Sequence, residues 1–121
     1  MDIVFINQLS VETTIGVYDW EKTIRQTLKL DIKIGCDIRS AAAGDDIAQT
    51  IDYAEVSTRL LKHISSNTFE LVETVAQQVA DIIINEFNAL WVSVTLFKPG
   101  AVPEADSVGV QIERFADSAD K

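Results

Sequence analysis

The most regular feature of the chain is an alternation of apolar and polar positions across residues 27–38. Apolar side chains take every second position, with polar residues or glycine between them: Leu28, Leu30, Ile32, Ile34, Cys36 and Ile38. This period of two predicts a β-strand with one buried face and one solvated face. At ~3.3 Å per residue the segment would extend about 40 Å, roughly twice the usual strand length. A strand this long favours a barrel or an extended ribbon over a compact sandwich.

Weaker patterns flank this strand. Residues 2–9 are apolar and predict a first strand, whereas residues 10–26 show no clean period. We expect residues 10–26 to form a long irregular connection, of a kind that is uncommon in compact domains and often functional. Residues 39–51, interrupted by Gly44-Asp45-Asp46, predict a second connection.

Two helices are predicted in the middle of the chain. Asp52 and Glu55 have the spacing of a capping box, which satisfies the first backbone N–H groups of a helix. Residues 65–68 end this helix, and Asn67 or Thr68 opens the next. The predicted apolar faces are Val56, Leu60, Leu61 and Ile64 on the first helix, and Leu71, Val72, Val75, Val79, Ile82, Ile83 and Phe87 on the second.

Two further strands complete the predicted fold. Trp91 to Lys98 forms the third strand, and the fourth runs from Val108 to about Phe115. Residues 1–115 are thus a single domain and residues 116–121 a polar tail. The order ββααββ predicts an α+β fold, with a four-stranded antiparallel sheet covered on one face by two helices. Four strands cannot close a barrel alone, so we expect an oligomeric barrel that removes the edge strands.

Composition narrows the class of protein. The chain has 121 residues, of which 47% are hydrophobic, and a net charge of −9. This charge argues against nucleic-acid binding, which depends on clustered Lys and Arg, and against binding to anionic membranes. The single cysteine cannot form an internal disulfide, and no segment has the pattern of a signal peptide or a membrane span. We therefore expect a cytoplasmic protein.

Polar residues beside breaks in the pattern are the candidates for chemistry. Lys98 immediately precedes Pro99-Gly100, where Pro99 keeps it extended and Gly100 lets the backbone approach a ligand. Glu73 lies in the first turn of the second helix among apolar neighbours. The simpler interpretations are a solvated strand end for Lys98 and a charge that complements the helix dipole for Glu73. The functional interpretation of Glu73 is a carboxylate that accepts two N–H groups from a guanidine-like ring edge.

Two more candidates lie near the predicted connections. Tyr53 follows the capping Asp52 and is either a packed aromatic residue or a phenol that donates a proton or serves as a stacking platform. Glu21 lies beside Trp20 in the first connection, where an exposed loop acid is the simpler interpretation. A metal site is not expected, because the chain has a single histidine and one cysteine, and the spacing of its aspartates misses the EF-hand pattern.

Six short motifs, in this order and at this spacing, resemble the bacterial dihydroneopterin aldolase family. They are Gly16-Val17-Tyr18-Asp19-Trp20-Glu21, Asp45-Asp46-Ile47, Asp52-Tyr53-Ala54-Glu55-Val56, Leu71-Val72-Glu73, Lys98-Pro99-Gly100-Ala101 and Val108-Gly109-Val110-Gln111-Ile112-Glu113-Arg114. Each motif alone is weak, whereas together they cover residues 1 to about 115. The resemblance implies the tunnelling fold, in which four subunits form a barrel, two barrels stack into a homo-octamer, and the sites lie between subunits.

The resemblance also implies a reaction of the folate pathway. In this family, 7,8-dihydroneopterin is cleaved to 6-hydroxymethyl-7,8-dihydropterin and glycolaldehyde, and its side chain is epimerised to give 7,8-dihydromonapterin. A retro-aldol step needs an electron acceptor, for which many aldolases use a lysine Schiff base or zinc. The N5=C6 imine of the pterin can accept the electrons, so that no cofactor or metal is expected.

Site residues are carried over by similarity. Glu73 would hold the 2-amino group and N3 of the pterin, while Lys98 and Tyr53 manage proton transfers at the side-chain hydroxyls and N5. Glu21 would position the trihydroxypropyl chain or a water, and backbone groups near Asp52 and Val72 would complete the ring contacts. Two alternatives are dihydroneopterin triphosphate 2'-epimerase, which would favour basic residues at the mouth of the site, and a non-catalytic pterin-binding subunit.

Overall fold

The computed structural model describes residues 1–117, so that the predicted tail lies outside the described residues except for its first two positions. The strands are β1 (Asp2–Ile15), β2 (Gln26–Cys36), β3 (Thr68–Phe69), β4 (Trp91–Pro99) and β5 (Ser107–Phe115). The α-helices are α1 (Arg39–Gly44), α2 (Tyr53–Ser65) and α3 (Val72–Phe87). Two short 3₁₀ helices cover Asp19–Thr23 and Ile47–Gln49. The fold class is α+β, as predicted.

Within the described residues, the sheet contains five strands in the order β3-β1-β2-β4-β5. All neighbours are antiparallel except β1 and β3, which pair in parallel through Thr14 with Thr68 and Ile15 with Phe69. The prediction of four antiparallel strands and two helices is therefore corrected, for residues 1–117, to a mixed sheet with three α-helices. A strand of two residues is too short to show a period, and none of the residues of the Ala-rich α1 is buried.

β1 is longer than predicted because a bulge hides its periodicity. The strand continues to Ile15 through part of the segment that was predicted to be irregular. Its register against β2 shifts between Ile6 and Leu9, where Gln8 has a φ of +54°. The extra residue moves the inward positions from even to odd numbers, so that Leu9, Val11 and Ile15 face the core. Such a change of phase conceals a strand from a search for strict alternation.

The core lies between one face of the sheet and the helices α2 and α3. Leu28, Leu30, Ile32 and Ile34 are fully buried, as the alternation predicted. They pack in one cluster with Val92, Val94 and Leu96 of β4 and with the apolar faces of the helices, including Val56, Leu60, Ile64, Val75, Val79 and Ile83. Within residues 1–117, no helix is long and apolar enough to cross a bilayer.

The helix starts are set by local hydrogen bonds. Asp52 caps α2 as predicted, because its Oδ1 accepts hydrogen bonds from the N–H groups of Ala54 and Glu55 at 2.9 and 3.4 Å. The second long helix begins at Val72, later than the predicted Asn67 or Thr68. The intervening Thr68–Phe69 pairs with β1, which holds this segment extended and places the start of α3 beside residues 16–21.

Candidate active site

A pocket of about 320 Å³ opens where the first 3₁₀ helix, the start of α3 and the β4–β5 connection meet. Its walls carry three of the predicted acidic and basic residues together with apolar side chains. The lining residues are Gly16, Val17, Tyr18, Trp20, Glu21, Gln26, Glu70, Leu71, Val72, Glu73, Lys98, Gly100, Ala101 and Val108. The structure therefore brings Glu21, Val72, Glu73 and Lys98, which are far apart in sequence, into one cavity.

Lys98 and Glu21 form a buried ion pair in this pocket. Lys98 Nζ lies 2.7 Å from Glu21 Oε2, and the two side chains are only 13% and 7% exposed. Burial of a lone charge is unfavourable, whereas a paired and hydrogen-bonded charge is tolerated. The interpretation of Glu21 as an exposed loop acid is therefore wrong, and Lys98 is not a simple solvated strand end.

Gln26 gives Glu21 a second partner. Its Nε2 donates hydrogen bonds to Glu21 Oε2 at 3.2 Å and to the carbonyl oxygen of Ile15 at 2.9 Å. The pKa of Glu21 is lowered from its ordinary value, first by the hydrogen bond from Lys98 and then by the one from Gln26, although burial opposes the change. The carboxylate is thus held ionised next to the lysine ammonium.

Gly16 makes room for this carboxylate. Its φ is +145°, and a Cβ at this position would lie 2.2 Å from Glu21 Cδ. Its N–H donates to the carbonyl oxygen of Phe69 at 3.0 Å, which ties the turn to the segment before α3. Only glycine combines this backbone conformation with so close a side chain.

The start of α3 forms the opposite wall. Val72 is the first helical residue and Glu73 the second, after Leu71 at the N-cap position. The first N–H groups of a helix have no acceptor within the helix, and Leu71 supplies no side-chain cap. Glu73 is exposed and takes part in none of the ion pairs formed within residues 1–117. This wall therefore offers a ligand both a carboxylate acceptor and backbone donors.

The structure places Asp52 and Tyr53 away from this pocket. Asp52 caps α2, and Tyr53 at the first helical position is 61% exposed, so it is not a packed aromatic residue of this chain. Neither of them is among the lining residues. Their assignment to the site stays a prediction.

Sequence reasoning missed several lining residues. Gln26 gave no signal, because it precedes the alternating strand, and Gly16 lay in a segment without a period. Val17, Tyr18, Trp20 and Leu71 are 49–64% exposed and form an apolar rim beside the charged groups. All four belong to motifs that carry the family resemblance, which is the signal that could have marked this rim.

No group of three or more metal-ligating side chains occurs in the part of the chain that the structure describes. His63, the single histidine, is 2.7 Å from Gln78 Oε1 through its Nε2 and lies beside the Phe69 ring. These contacts give His63 a packing role between α2 and α3.

Comparison with known proteins identifies relatives of the whole domain. The family model for dihydroneopterin aldolase (FolB) matches residues 4–113. Dihydroneopterin aldolase of Escherichia coli K12 is 53% identical over 114 residues, covering 94% of this chain and 93% of the relative. Dihydroneopterin triphosphate 2'-epimerase of the same organism is 28% identical over 110 residues, covering 91% and 92% of the two chains.

A solved structure agrees with the sequence comparison. The crystal structure of E. coli dihydroneopterin aldolase in complex with neopterin superimposes with a TM-score of 0.92 at 53% identity. The match covers 94% of this chain and 99% of that chain.

Proposed function

Because the chain belongs to the dihydroneopterin aldolase family, we propose that the pocket at Glu21 and Lys98 is where it cleaves 7,8-dihydroneopterin. The products are 6-hydroxymethyl-7,8-dihydropterin and glycolaldehyde, in the biosynthesis of folate. The observation that supports this location is the buried Lys98–Glu21 pair, which faces the start of α3 with its carboxylate Glu73 across one cavity.

The start of α3 suits the ring of the substrate. The 2-amino group and N3–H of a pterin are adjacent donors, and a carboxylate can accept both hydrogen bonds. Glu73 provides this carboxylate, and the backbone at Val72 provides donors for the ring oxygen. The apolar rim can cover the ring faces, since Trp20 and Leu71 line the same pocket.

The buried pair suits the side chain of the substrate. Cleavage removes the proton of the 2'-hydroxyl, breaks the C1'–C2' bond and moves the electron pair toward C6 and N5, where a proton is taken up. Glycolaldehyde leaves, and protonation at C1' of the resulting enamine, with loss of the N5 proton, restores the N5=C6 imine and gives the hydroxymethyl product. Lys98 would carry protons in these steps, directly or through a water, while Glu21 holds its ammonium in place and orients the hydroxyls.

This chemistry needs no cofactor or metal, because the N5=C6 imine accepts the electrons. If glycolaldehyde turns over before it leaves, the enamine carbon C1' can re-form the C1'–C2' bond on the opposite face of the aldehyde carbon. This inverts C2' and accounts for epimerisation to 7,8-dihydromonapterin, which we propose as a second activity. We rank dihydroneopterin triphosphate 2'-epimerase below the aldolase, because the pocket lining carries Glu21, Glu70 and Glu73 against the single cation Lys98. Such a lining is unfavourable for a triphosphate.

We further propose that the active site is shared between subunits, with Tyr53 and the backbone near Asp52 supplied by a neighbouring copy. Tyr53 is exposed and does not line the pocket of its own chain. Within residues 1–117, the edge of β1 that faces away from β2 has no strand partner before Thr14, and the outer edge of β5 has none, as expected for strands that pair across copies. Large apolar side chains such as Phe5, Ile47 and Phe115 are also exposed. A homo-octamer of two stacked tetrameric rings would cover these surfaces.

A direct assay tests the proposed function. The purified protein is incubated with 7,8-dihydroneopterin in the presence of a metal chelator, and glycolaldehyde and 6-hydroxymethyl-7,8-dihydropterin are measured together. We expect equal amounts of the two products from the natural protein and far less from a Lys98→Ala variant. Absence of both products from a folded oligomeric protein would refute the proposal, and activity that depends on added zinc would refute the metal-free mechanism.

A further inference from the structure

Gln26 occupies a place in the pocket that the reaction as described does not use. It is the first residue of β2 and pairs in register with Thr13 of β1, in the rigid part of the sheet. Its Nε2 has two hydrogens, and both are used, one on the carbonyl oxygen of Ile15 and one on Glu21 Oε2. The side-chain amide thus links the sheet to a carboxylate that is carried by a short 3₁₀ helix.

The amide can adopt only one orientation in these surroundings. Both groups that face its Nε2, the carbonyl oxygen and the carboxylate oxygen, are acceptors. If the amide were flipped, its oxygen would face these two acceptor oxygens. Both hydrogen bonds would be lost, and the oxygens would repel one another. Glu21 Oε2 also accepts the hydrogen bond from Lys98 at 2.7 Å. One oxygen is therefore held between a fixed neutral donor and the lysine ammonium.

We propose that Gln26 is a positioning residue of the aldolase reaction, which fixes Glu21 Oε2 and through it the Lys98 ammonium. This role rests on the proposed function of the pocket. The first 3₁₀ helix spans only Asp19–Thr23 and carries Glu21 as its one buried residue, so that packing within the helix does little to hold the carboxylate. Lys98 reaches Glu21 Oε2 from β4, and Gln26 reaches the same oxygen from β2. Gln26 thus adds a second, uncharged constraint from the sheet, and the reacting lysine then keeps one position before the substrate arrives.

The proposal is tested with Gln26→Met, which keeps the length and volume of the side chain and removes both donors. We expect kcat to fall about tenfold to a hundredfold, the size of effect for a lost hydrogen bond to a charged group. The dissociation constant of the product 6-hydroxymethyl-7,8-dihydropterin should stay within about twofold, because Gln26 has no part in binding the ring. The acid limb of the kcat–pH profile should move to higher pH, because Gln26 is one of the groups that lower the pKa of Glu21.

Gln77→Met is the matched control. Gln77 also makes two side-chain hydrogen bonds, to Asp81 at 2.9 Å and from Arg114 at 3.1 Å, but it does not line the pocket. Its kcat and pH profile should equal those of the natural protein. Circular dichroism and the oligomeric state of both variants show whether either of them fails to fold.

Titration of the Glu21 carboxyl by carbon-13 NMR provides a readout that does not depend on activity. We expect a higher Glu21 pKa in Gln26→Met than in the natural protein. If the natural protein fails to cleave dihydroneopterin, the proposed function is wrong, while this titration still decides whether Gln26 controls the carboxylate. An unchanged Glu21 pKa would overturn the inference. So would a loss of product affinity equal to the loss of kcat, since Gln26 would then bind the ligand itself.

Discussion

Two of the regions that carry predicted site residues differ in how far one chain completes them. In the Glu21–Lys98 corner the ammonium lies 2.7 Å from the carboxylate, which has a second partner in Gln26. In the Asp52–Tyr53 segment the carboxylate only caps its helix, and the tyrosine ring is 61% exposed. The first region is organised by its own chain, whereas the second presents an aromatic residue to the outside.

The surroundings of the two regions also differ in how deeply they are buried. The corner is anchored on β1, β2 and β4, the strands that contribute most of the buried core of the sheet. The stretch before Tyr53 includes α1, in which no residue is buried, and Ile38 and Ile47 are 40% and 63% exposed. Exposed apolar side chains of this size are consistent with the contact between copies that we propose. The comparison supports an active site in which one chain supplies the proton-transfer pair and another chain supplies the tyrosine.

The largest expected effect comes from removal of the lysine in the corner. Lys98→Ala should lower kcat by about 10²–10⁴-fold, as for other general acid–base groups, while the affinity for the product pterin changes much less. The same variant should lose epimerisation. Steady-state kinetics and a product-binding titration measure these quantities. A kcat close to normal would make Lys98 a structural partner of Glu21 and no more.

Removal of one charge of a buried pair can also destabilise the fold, because the other charge stays buried alone. A double variant, Glu21→Gln with Lys98→Met, removes both charges and controls for this effect. We expect it to be folded and inactive. Borohydride treatment of the natural enzyme with substrate should leave Lys98 unmodified by mass spectrometry. A reduced pterin adduct on Lys98 would show a conventional aldolase imine in place of the pterin imine.

The exposed region is tested by mixing subunits. Tyr53→Ala and Lys98→Ala variants are each expected to have low activity. If each site takes Tyr53 from one copy and Lys98 from another, random reassembly of an equal mixture restores about a quarter of the sites. Activity should therefore rise well above that of either variant after joint unfolding and refolding. No rise, in mixtures shown by mass spectrometry to contain both chains, would mean that both residues act within one chain.

The third prediction concerns ring binding at the start of α3. Glu73→Ala removes the acceptor for two ring donors, and a hydrogen bond to a charged group contributes about 1.5–3 kcal/mol. The affinity for substrate and product should each fall by roughly tenfold or more. Glu70→Ala is the control, since Glu70 lines the same pocket but is paired with Lys22. If both variants showed equally small losses of pterin affinity, Glu73 would only stabilise the start of α3 and would not bind the ring.

The difference between local patterns and contacts between distant segments explains which features the sequence could predict. The alternation around Leu28–Ile34 and the cap at Asp52 are local patterns, and both were confirmed. β3 and the full length of β1 depend on pairing between distant segments and on a bulge at Gln8, which leave no local period.

The site shows the same limit. Lys98 and Glu73 were found beside breaks in the pattern, with the motif resemblance giving their roles. The burial of Glu21, the room left by Gly16 and the hydrogen bonds of Gln26 arise only when β1, β2 and β4 come together. Patterns within single segments therefore indicated where the charged residues lie, but not the contacts between segments that hold these residues in place.

The smallest expected effect comes from a second ion pair on the same 3₁₀ helix. Lys22 follows Glu21 in sequence, and its Nζ lies 3.2 Å from Glu70 Oε1. The Lys22 and Glu70 side chains are 47% and 66% exposed, whereas those of Lys98 and Glu21 are only 13% and 7% exposed. Exposed pairs contribute about 0–1 kcal/mol and are screened by salt. Lys22→Met should therefore change kcat/KM by about fivefold at most, and the difference from the natural protein should vanish at high salt. Kinetics at low and high ionic strength measure this directly. A loss as large as that of Lys98→Ala, and insensitive to salt, would mean that the two neighbouring pairs act as one network and that burial is not what separates them.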